Sequence, residues 1–104
     1  MVRKIKVEIV RFVDDSNPGF VECHLVDAWQ RTWVFVEKVP VVTIEYLDST
    51  SIYPSLGVIA GRVVETRFIN GQQVIRVDTN TPWGINSTDG ETLFDVFPHQ
   101  LTED

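Results

Sequence analysis

The residue types that most often perform chemistry are few in this chain and poorly spaced for joint action. Cys23 and His24 are adjacent, and neighbouring residues of a strand point to opposite faces, so they cannot share a metal ion or act as nucleophile and base. Cys23 alternates with Val21 and Leu25, which predicts a small buried core residue. His99 lies far along the chain. We therefore expect no metal site and no cofactor.

Glu22 and His24 lie two residues apart and share the other face of the same predicted strand. They have the residue types of an acid–base pair. An ordinary solvated strand face explains them as well, and we favour that interpretation. With Glu37 they are the spare titratable groups on which an enzyme would depend, so catalysis is the third of three functional hypotheses and we lean against it.

Arg62 is the most unusual charged residue, because the predicted register places it on an apolar strand face. That face carries Val58, Ala60, Val64 and Phe68. A guanidinium in such a place must be paired, hydrogen-bonded or at a sheet end. Two interpretations stay open: a salt bridge, or a clamp for the carboxylate of a ligand in a pocket mouth. The candidate salt-bridge partners are Glu22, Glu37 and Asp78.

Aromatic residues on predicted loops are the other candidates for binding. Trp29 lies at a loop tip, Trp83 follows a proline in a second loop, and Tyr53 precedes another proline. Large rigid aromatics dominate binding hot spots. Arg62, Tyr53 and Trp83 are therefore predicted ligand-binding residues, while Trp29 and Trp33 are predicted interaction residues. An alternative role for Trp83 is to close one end of a small barrel.

These residues depend on a hairpin over Leu56–Asn80. Asn70-Gly71 between alternating apolar residues predicts a two-residue type I′ turn, because both central residues then need φ > 0. The turn predicts the register. The expected pairs are Ile69 with Gln72, Phe68 with Gln73, Arg67 with Val74, Thr66 with Ile75, Glu65 with Arg76, and Val64 with Val77. One face is then largely apolar and the other carries the Glu65–Arg76 pair.

The remaining segments predict further strands. Residues 3–13 alternate and change phase at Val10, Phe20–Val26 alternates, and Arg31–Glu37 is apolar on both faces, typical of a central strand. The other predicted elements are a strand at Val39–Val42, with Pro40 at an edge or start, a crossover loop or short helical turn at 43–55, and a closing strand at 92–97. With about seven strands, we predict an all-β, strongly bent, barrel-like antiparallel sheet, with a β-sandwich as the alternative. Gly57 and Gly61 mark the bend.

Length and composition bound the function. The 104 residues suit one domain over 1–104, with 102–104 disordered. There is no apolar run of the ~20 residues that span a bilayer and no secretory signal, and a single cysteine suits a reducing compartment, so we expect a cytoplasmic protein without membrane contact. A net charge of −6 disfavours nucleic acid. It serves solubility, or steers the domain toward a basic partner.

Several segments together resemble a group of short, single-domain bacterial proteins of unassigned function. The segments are Phe12-Val13-Asp14, Pro18-Gly19-Phe20-Val21-Glu22-Cys23, Val36-Glu37-Lys38-Val39-Pro40-Val41-Val42, Tyr53-Pro54 before Gly57-Val58-Ile59-Ala60, and Pro82-Trp83-Gly84 before Ser87-Thr88-Asp89-Gly90. The resemblance covers nearly the whole chain and implies a stand-alone domain in a bacterial cytoplasm. It supplies no activity and no catalytic residue.

Three functions follow from these observations. The first and favoured one is a non-catalytic interaction domain of accessory, inhibitor or immunity type, which uses an acidic surface and loop aromatics. The second is a small-ligand-binding β-barrel with an anionic ligand near Arg62, and the third is an enzyme. A protein partner or self-association is expected, because Trp33, Phe35 and the neighbouring strands offer more apolar surface than a small core needs, which allows a homodimer.

Overall fold

A computed structural model describes residues 1–102 of the chain, which form a six-stranded antiparallel sheet curled into a half-barrel. The strands are β1 (Val2–Asp14), β2 (Phe20–Val26), β3 (Thr32–Lys38), β4 (Ser55–Ile69), β5 (Gln72–Asp78) and β6 (Leu93–Val96), with a one-turn helix α1 (Val39–Val42) after β3. Their order across the sheet is β3-β2-β1-β4-β5-β6. The predicted all-β, barrel-like fold is confirmed, with six strands where the sequence suggested about seven.

The inner face of the half-barrel holds one continuous apolar core. Alternate residues of β1, starting at Ile5, point into it, as do Val21, Cys23 and Leu25 of β2 and Phe35 of β3. The curl brings the two ends of the sheet together. Leu101 forms a bridge to Ile5 of β1, and the Ala28 N–H donates to the Asp95 carbonyl at 2.8 Å.

The β4–β5 hairpin confirms most of the predicted register. The five pairs from Ile69–Gln72 to Glu65–Arg76 are all present, and Asn70 and Gly71 have φ of 52° and 77°. The sixth pair is wrong, because a bulge at Val64 places Val63 opposite Val77. The extra residue shifts the phase of β4, so its core face is formed by Gly57, Ile59, Gly61 and Val63. Residues beyond the bulge leave the core, and Phe68 is 74% exposed.

Two other predictions are corrected. Val39–Val42 is a helical turn and not a strand, because Pro40 lies in its first turn, where the missing N–H costs nothing and the fixed φ suits a helix. Its two end valines are buried. The strand Thr32–Lys38 is the edge of the sheet and not its centre. Its free edge is partly covered by the 86–92 loop, in which the Thr88 N–H donates to the Val34 carbonyl.

One local irregularity lies where the sequence suggested it. A bulge between Ile9 and Arg11 accounts for the phase change in β1, and residues 43–54 form a crossover of turns. A side chain at Gly61 would overlap Val77 Cγ1, so β4 and β5 meet there only because Gly61 has no Cβ. Thr102, placed by the sequence in a disordered end, is hydrogen-bonded to Lys4 of β1. The rest of that prediction, 103–104, lies outside the described residues.

Candidate functional site

Cys23 is part of the core and is not available for chemistry. Its side chain is fully buried, and burial, assisted by the nearby Glu37 and Glu22 carboxylates, raises the pKa of the thiol to about 12. A thiol in this state is neither a nucleophile nor a metal ligand at neutral pH. This agrees with the interpretation made from its apolar neighbours in β2.

Glu22 and His24 do form a pair, on the outer face of the sheet. His24 Nε2 lies 2.7 Å from Glu22 Oε2, and Arg11 Nε donates to the other oxygen at 2.8 Å. The hydrogen bond with His24, followed by the contact with Arg11, holds the pKa of Glu22 below its usual value. Glu37 is opposite Val21 in the β2–β3 register, on the other face. The three groups proposed for catalysis are therefore not brought together.

Residues 1–102 hold no group of three or more His, Cys, Asp or Glu side chains arranged to bind a metal ion. In the same residues, no helix is both long and apolar enough to cross a membrane. The buried carboxylates of Asp27 and Asp95 instead bind arginine and tryptophan side chains of the chain itself.

Trp29 and Trp33, the predicted interaction residues, are both anchored by buried aspartates. The indole N–H of Trp29 donates to Asp95 Oδ2, and that of Trp33 to Asp27 Oδ2, each at 2.9 Å. Trp33 packs edge-to-face on the core residue Phe94, with ring centroids 5.4 Å apart. These contacts give both indoles a role in joining the β2–β3 loop to β6, and an additional role in partner binding stays a prediction.

Arg62, Tyr53 and Trp83 are not brought into one pocket. Arg62 is exposed, opposite Asp78 in the β4–β5 register, so the apolar face predicted for it is not the core face of β4. Tyr53 packs against the core and donates its hydroxyl to the Asp48 carbonyl at 2.8 Å. Among the hollows of residues 1–102 described below, Trp83 lines one, while Arg62 and Tyr53 line none. The anion clamp at Arg62 stays a prediction without a cavity beside it.

The surface around α1 has two adjoining hollows. The first, the apolar hollow, has a volume of about 440 Å³. Its lining is Lys4, Glu37, Pro40, Val41, Thr43, Ile44, Val58, Ala60, Trp83 and Ile85. Trp83 is 70% exposed and Ile44 fully exposed. Large apolar side chains thus stand at the rim of the apolar hollow, and a buried one, Ile85, closes its floor.

The second, the acidic hollow, has a volume of about 780 Å³ and lies on the other side of Ile44. Pro40, Thr43 and Ile44 line both hollows, which are therefore contiguous. The charged residues of this lining are Asp15, Glu45 and Asp48, all carboxylates. Hydrogen bonds from Thr50, and then from Ser51, hold the pKa of Asp48 below its usual value, so this carboxylate stays ionised. We call the two hollows together the α1 groove.

Glu37 gives the apolar hollow one half-buried acid. Burial raises the pKa of its carboxyl above the usual value. A cationic group entering the apolar hollow would favour the ionised form of Glu37 and lower that pKa again. Lys4 lies in the same lining, so the apolar hollow has a cation as well as an acid.

Of the predicted binding residues, only Trp83 lines the α1 groove, and Glu37, which also lines it, was predicted only as a titratable group or a partner of Arg62. Val41 and Ile44 were assigned to a strand and a crossover loop, and Tyr46, 84% exposed, was not singled out. The available signal was the run Thr43–Leu47, in which Ile44 and Tyr46 alternate with the polar residues Thr43 and Glu45. Comparison with known proteins gives no match to a family model, a curated protein or a solved structure.

Proposed function

We propose that this domain is a non-catalytic protein-binding module whose α1 groove receives a basic polypeptide segment with an apolar anchor residue. The observation that carries the proposal is the position of Ile44. This fully exposed side chain stands between an apolar hollow and a hollow whose charged residues are all acidic. A large apolar side chain in such a position is typical of a recognition surface.

The apolar part of the groove supplies the contact area. Ile44, Tyr46 and Trp83 are each more than two-thirds exposed, and Val41 contributes a further edge. Aromatic anchors next to a depression are the usual centres of binding energy at protein interfaces. An aliphatic or aromatic side chain of the partner would fill the apolar hollow and cover Trp83.

The acidic part supplies orientation and selectivity. Asp15, Glu45 and Asp48 line one side, and the protein as a whole carries a charge of −6. Opposite charges across an interface accelerate association and disfavour wrong partners. A segment that places Lys or Arg a few residues from its apolar anchor therefore fits, whereas an acidic segment is repelled.

A small apolar ligand is the second candidate, because the volume of the apolar hollow is within the range of roughly 300–1,000 Å³ that small-molecule sites occupy. Such a ligand would use the apolar hollow alone and would be insensitive to Glu45 and Asp48. The residues that an enzyme would need, Glu22, His24 and Glu37, are divided between two faces of the sheet, so catalysis receives no comparable support.

The test is selection of binding peptides from a random displayed library, with the whole purified domain as bait. We expect enriched sequences to combine an aromatic or aliphatic residue with nearby Lys or Arg. Ile44→Ser should weaken their binding by at least about tenfold, the loss expected for a hot-spot residue. Leu56→Ser is the matched control, because Leu56 is 81% exposed on β4, outside the α1 groove.

Charge-reversal variants distinguish binding of a basic peptide from binding of a small apolar ligand. Glu45→Lys should weaken basic peptides and reduce the salt dependence of their association, while Glu8→Lys, an exposed change on β1, should have little effect. If the domain enriches no peptides, or if Ile44→Ser and Leu56→Ser bind them equally well, the proposal is wrong. Binding that Ile44→Ser abolishes and Glu45→Lys leaves unchanged would favour a small apolar ligand instead.

A further inference from the structure

The β4–β5 hairpin extends beyond the rest of the sheet. β1 begins at Val2, opposite Arg62, and β6 pairs with β5 only from Ile75 onward. In the part of the chain that the structure describes, residues 64–74 therefore form a two-stranded ribbon with no strand on either side. Phe68, near its tip, is 74% exposed, and Val64 is 40% exposed. A bare ribbon with exposed apolar side chains invites pairing with another strand.

The turn determines which backbone groups of β4 face the open edge. In a two-residue hairpin the residues flanking the turn, here Ile69 and Gln72, exchange both of their backbone hydrogen bonds. Alternate residues of β4 then turn toward β5, which includes Arg67 and Glu65. Thr66 and Phe68 consequently direct their N–H and C=O groups away from β5, toward the open edge.

The sequence of this edge is complementary to itself. When two copies pair antiparallel about Thr66, Val64 of one copy faces Phe68 of the other. Glu65 faces Arg67, whose guanidinium also contacts Glu65 and Asp95 of its own chain at 3.3 and 3.1 Å. Opposite charges and apolar pairs directly across a ladder each stabilise it. Registers centred on Glu65 or on Arg67 place like charges opposite each other, which is unfavourable. Charged residues often protect an edge from pairing, but here their signs and spacing favour one symmetric pairing.

We propose that two copies of this chain associate through the β4 edge, joining their sheets across a twofold axis at Thr66. The ladder spans Val64–Phe68 of each copy. It stops at Val63, whose N–H already donates to the Met1 carbonyl at 2.9 Å. The α1 groove uses none of these residues, so the association is independent of partner binding there.

The test is the mass of the purified full chain by analytical ultracentrifugation over a range of concentrations. The wild type should form a dimer of twice 11.9 kDa. Thr66→Pro should be a folded monomer, since proline removes the N–H that faces the open edge and leaves the bonds to β5 intact. Should Thr66→Pro fail to fold, Glu65→Lys tests the same pairing, because it places a lysine opposite Arg67 of the second copy.

The control is Glu8→Lys, which makes the same charge change on an exposed position of β1 and should remain dimeric. A wild type that stays monomeric at the highest soluble concentration overturns the proposal. So does a dimer that persists in both Thr66→Pro and Glu65→Lys, because that dimer must use another surface. Loss of the dimer in those variants, with the dimer retained in Glu8→Lys, supports it.

Discussion

The indole N–H of Trp29 donates a 2.9 Å hydrogen bond to the Asp95 carboxylate across 66 residues of sequence. The same carboxylate accepts two hydrogen bonds from the Arg76 guanidinium and one from Arg67. Asp95 is 6% exposed, so these partners replace the water that an isolated carboxylate would need. One side chain thus joins the β2–β3 loop, β4, β5 and β6.

Asp95→Asn should be among the most destabilising polar substitutions in the domain. It removes the charge that compensates two arginines. Because both arginine side chains are about one-third exposed, the loss should be smaller than the ~3–5 kcal/mol for breaking a fully buried ion pair. The free energy of unfolding in urea, followed by tryptophan fluorescence, measures the loss. Asp89→Asn, on an exposed loop, is the control and should change stability by less than about 0.5 kcal/mol. Equal losses for the two variants would contradict this role of Asp95.

The difference in unfolding free energy between the wild type and Asp95→Asn should depend on pH. The hydrogen bond from Arg76, and then that from Trp29, hold the pKa of Asp95 below its usual value of 3.8. A carboxylate with a depressed pKa in the folded state contributes stability above the unfolded-state pKa, and this contribution is lost as pH falls through the folded-state pKa. The stability difference between wild type and Asp95→Asn should therefore be constant near neutral pH and shrink below about pH 4.

Glu37 should show the opposite sign. Burial raises the pKa of its carboxyl above the usual 4.5, so the folded protein holds that proton more tightly than the unfolded chain. Stability then falls as pH rises through the interval above 4.5. Glu37→Gln should flatten that part of the profile and raise Tm slightly at pH 7. A Tm at pH 7 that falls in Glu37→Gln would show that the ionised carboxylate has a favourable partner.

Gly61→Ala tests the close approach of β4 and β5. The new Cβ would overlap Val77 Cγ1, and overpacking of this kind costs about 1–3 kcal/mol. In a Val77→Ala background most of that additional cost should disappear, because the overlapping methyl group is gone. Urea unfolding of the two single variants and the double variant measures the coupling. Strict additivity would mean that the strands do not meet at this point.

The reactivity of the Cys23 thiol tests whether the inner face of β2 is buried in the core. Its thiol is fully buried with a pKa of about 12, so it should not react with an aromatic disulfide reagent at pH 8 in the native protein. Reaction should be complete once the chain is unfolded in urea. Rapid labelling of the native protein would place Cys23 at the surface and contradict the assignment of the inner face of β2.

The sequence predicts the parts of this fold that depend on local chemistry. Asn70-Gly71 determines five of the six predicted pairs in the β4–β5 hairpin, because a type I′ turn sets its own register. The sixth pair is wrong because a bulge at Val64 places Val63 opposite Val77, where Val63 packs against the core. No residue type near Val64 signals this bulge in the sequence. Pro40 was compatible with a strand start or a first helical turn, and the burial of Val39 and Val42 decides for the helix.

The features that could not be predicted from the sequence depend on contacts between residues that are far apart in the chain. Asp95 looks like an ordinary strand acid until the curl of the sheet brings the Trp29 indole to it across 66 residues of sequence. The α1 groove likewise depends on Trp83 lying beside Ile44, two residues from loops that are far apart in the chain. Trp83 was predicted as a binding residue from its loop position, but its neighbours could not be.

The most direct test of the α1 groove is a ¹H–¹⁵N NMR titration of the labelled domain with a peptide enriched in the selection described above. We expect chemical-shift changes to concentrate at residues 37–48 and 83–85, and to be lost in Ile44→Ser. Changes confined to the outer face of β2 and β3, or to the tip of the β4–β5 hairpin, would contradict the assignment of this groove as the binding surface.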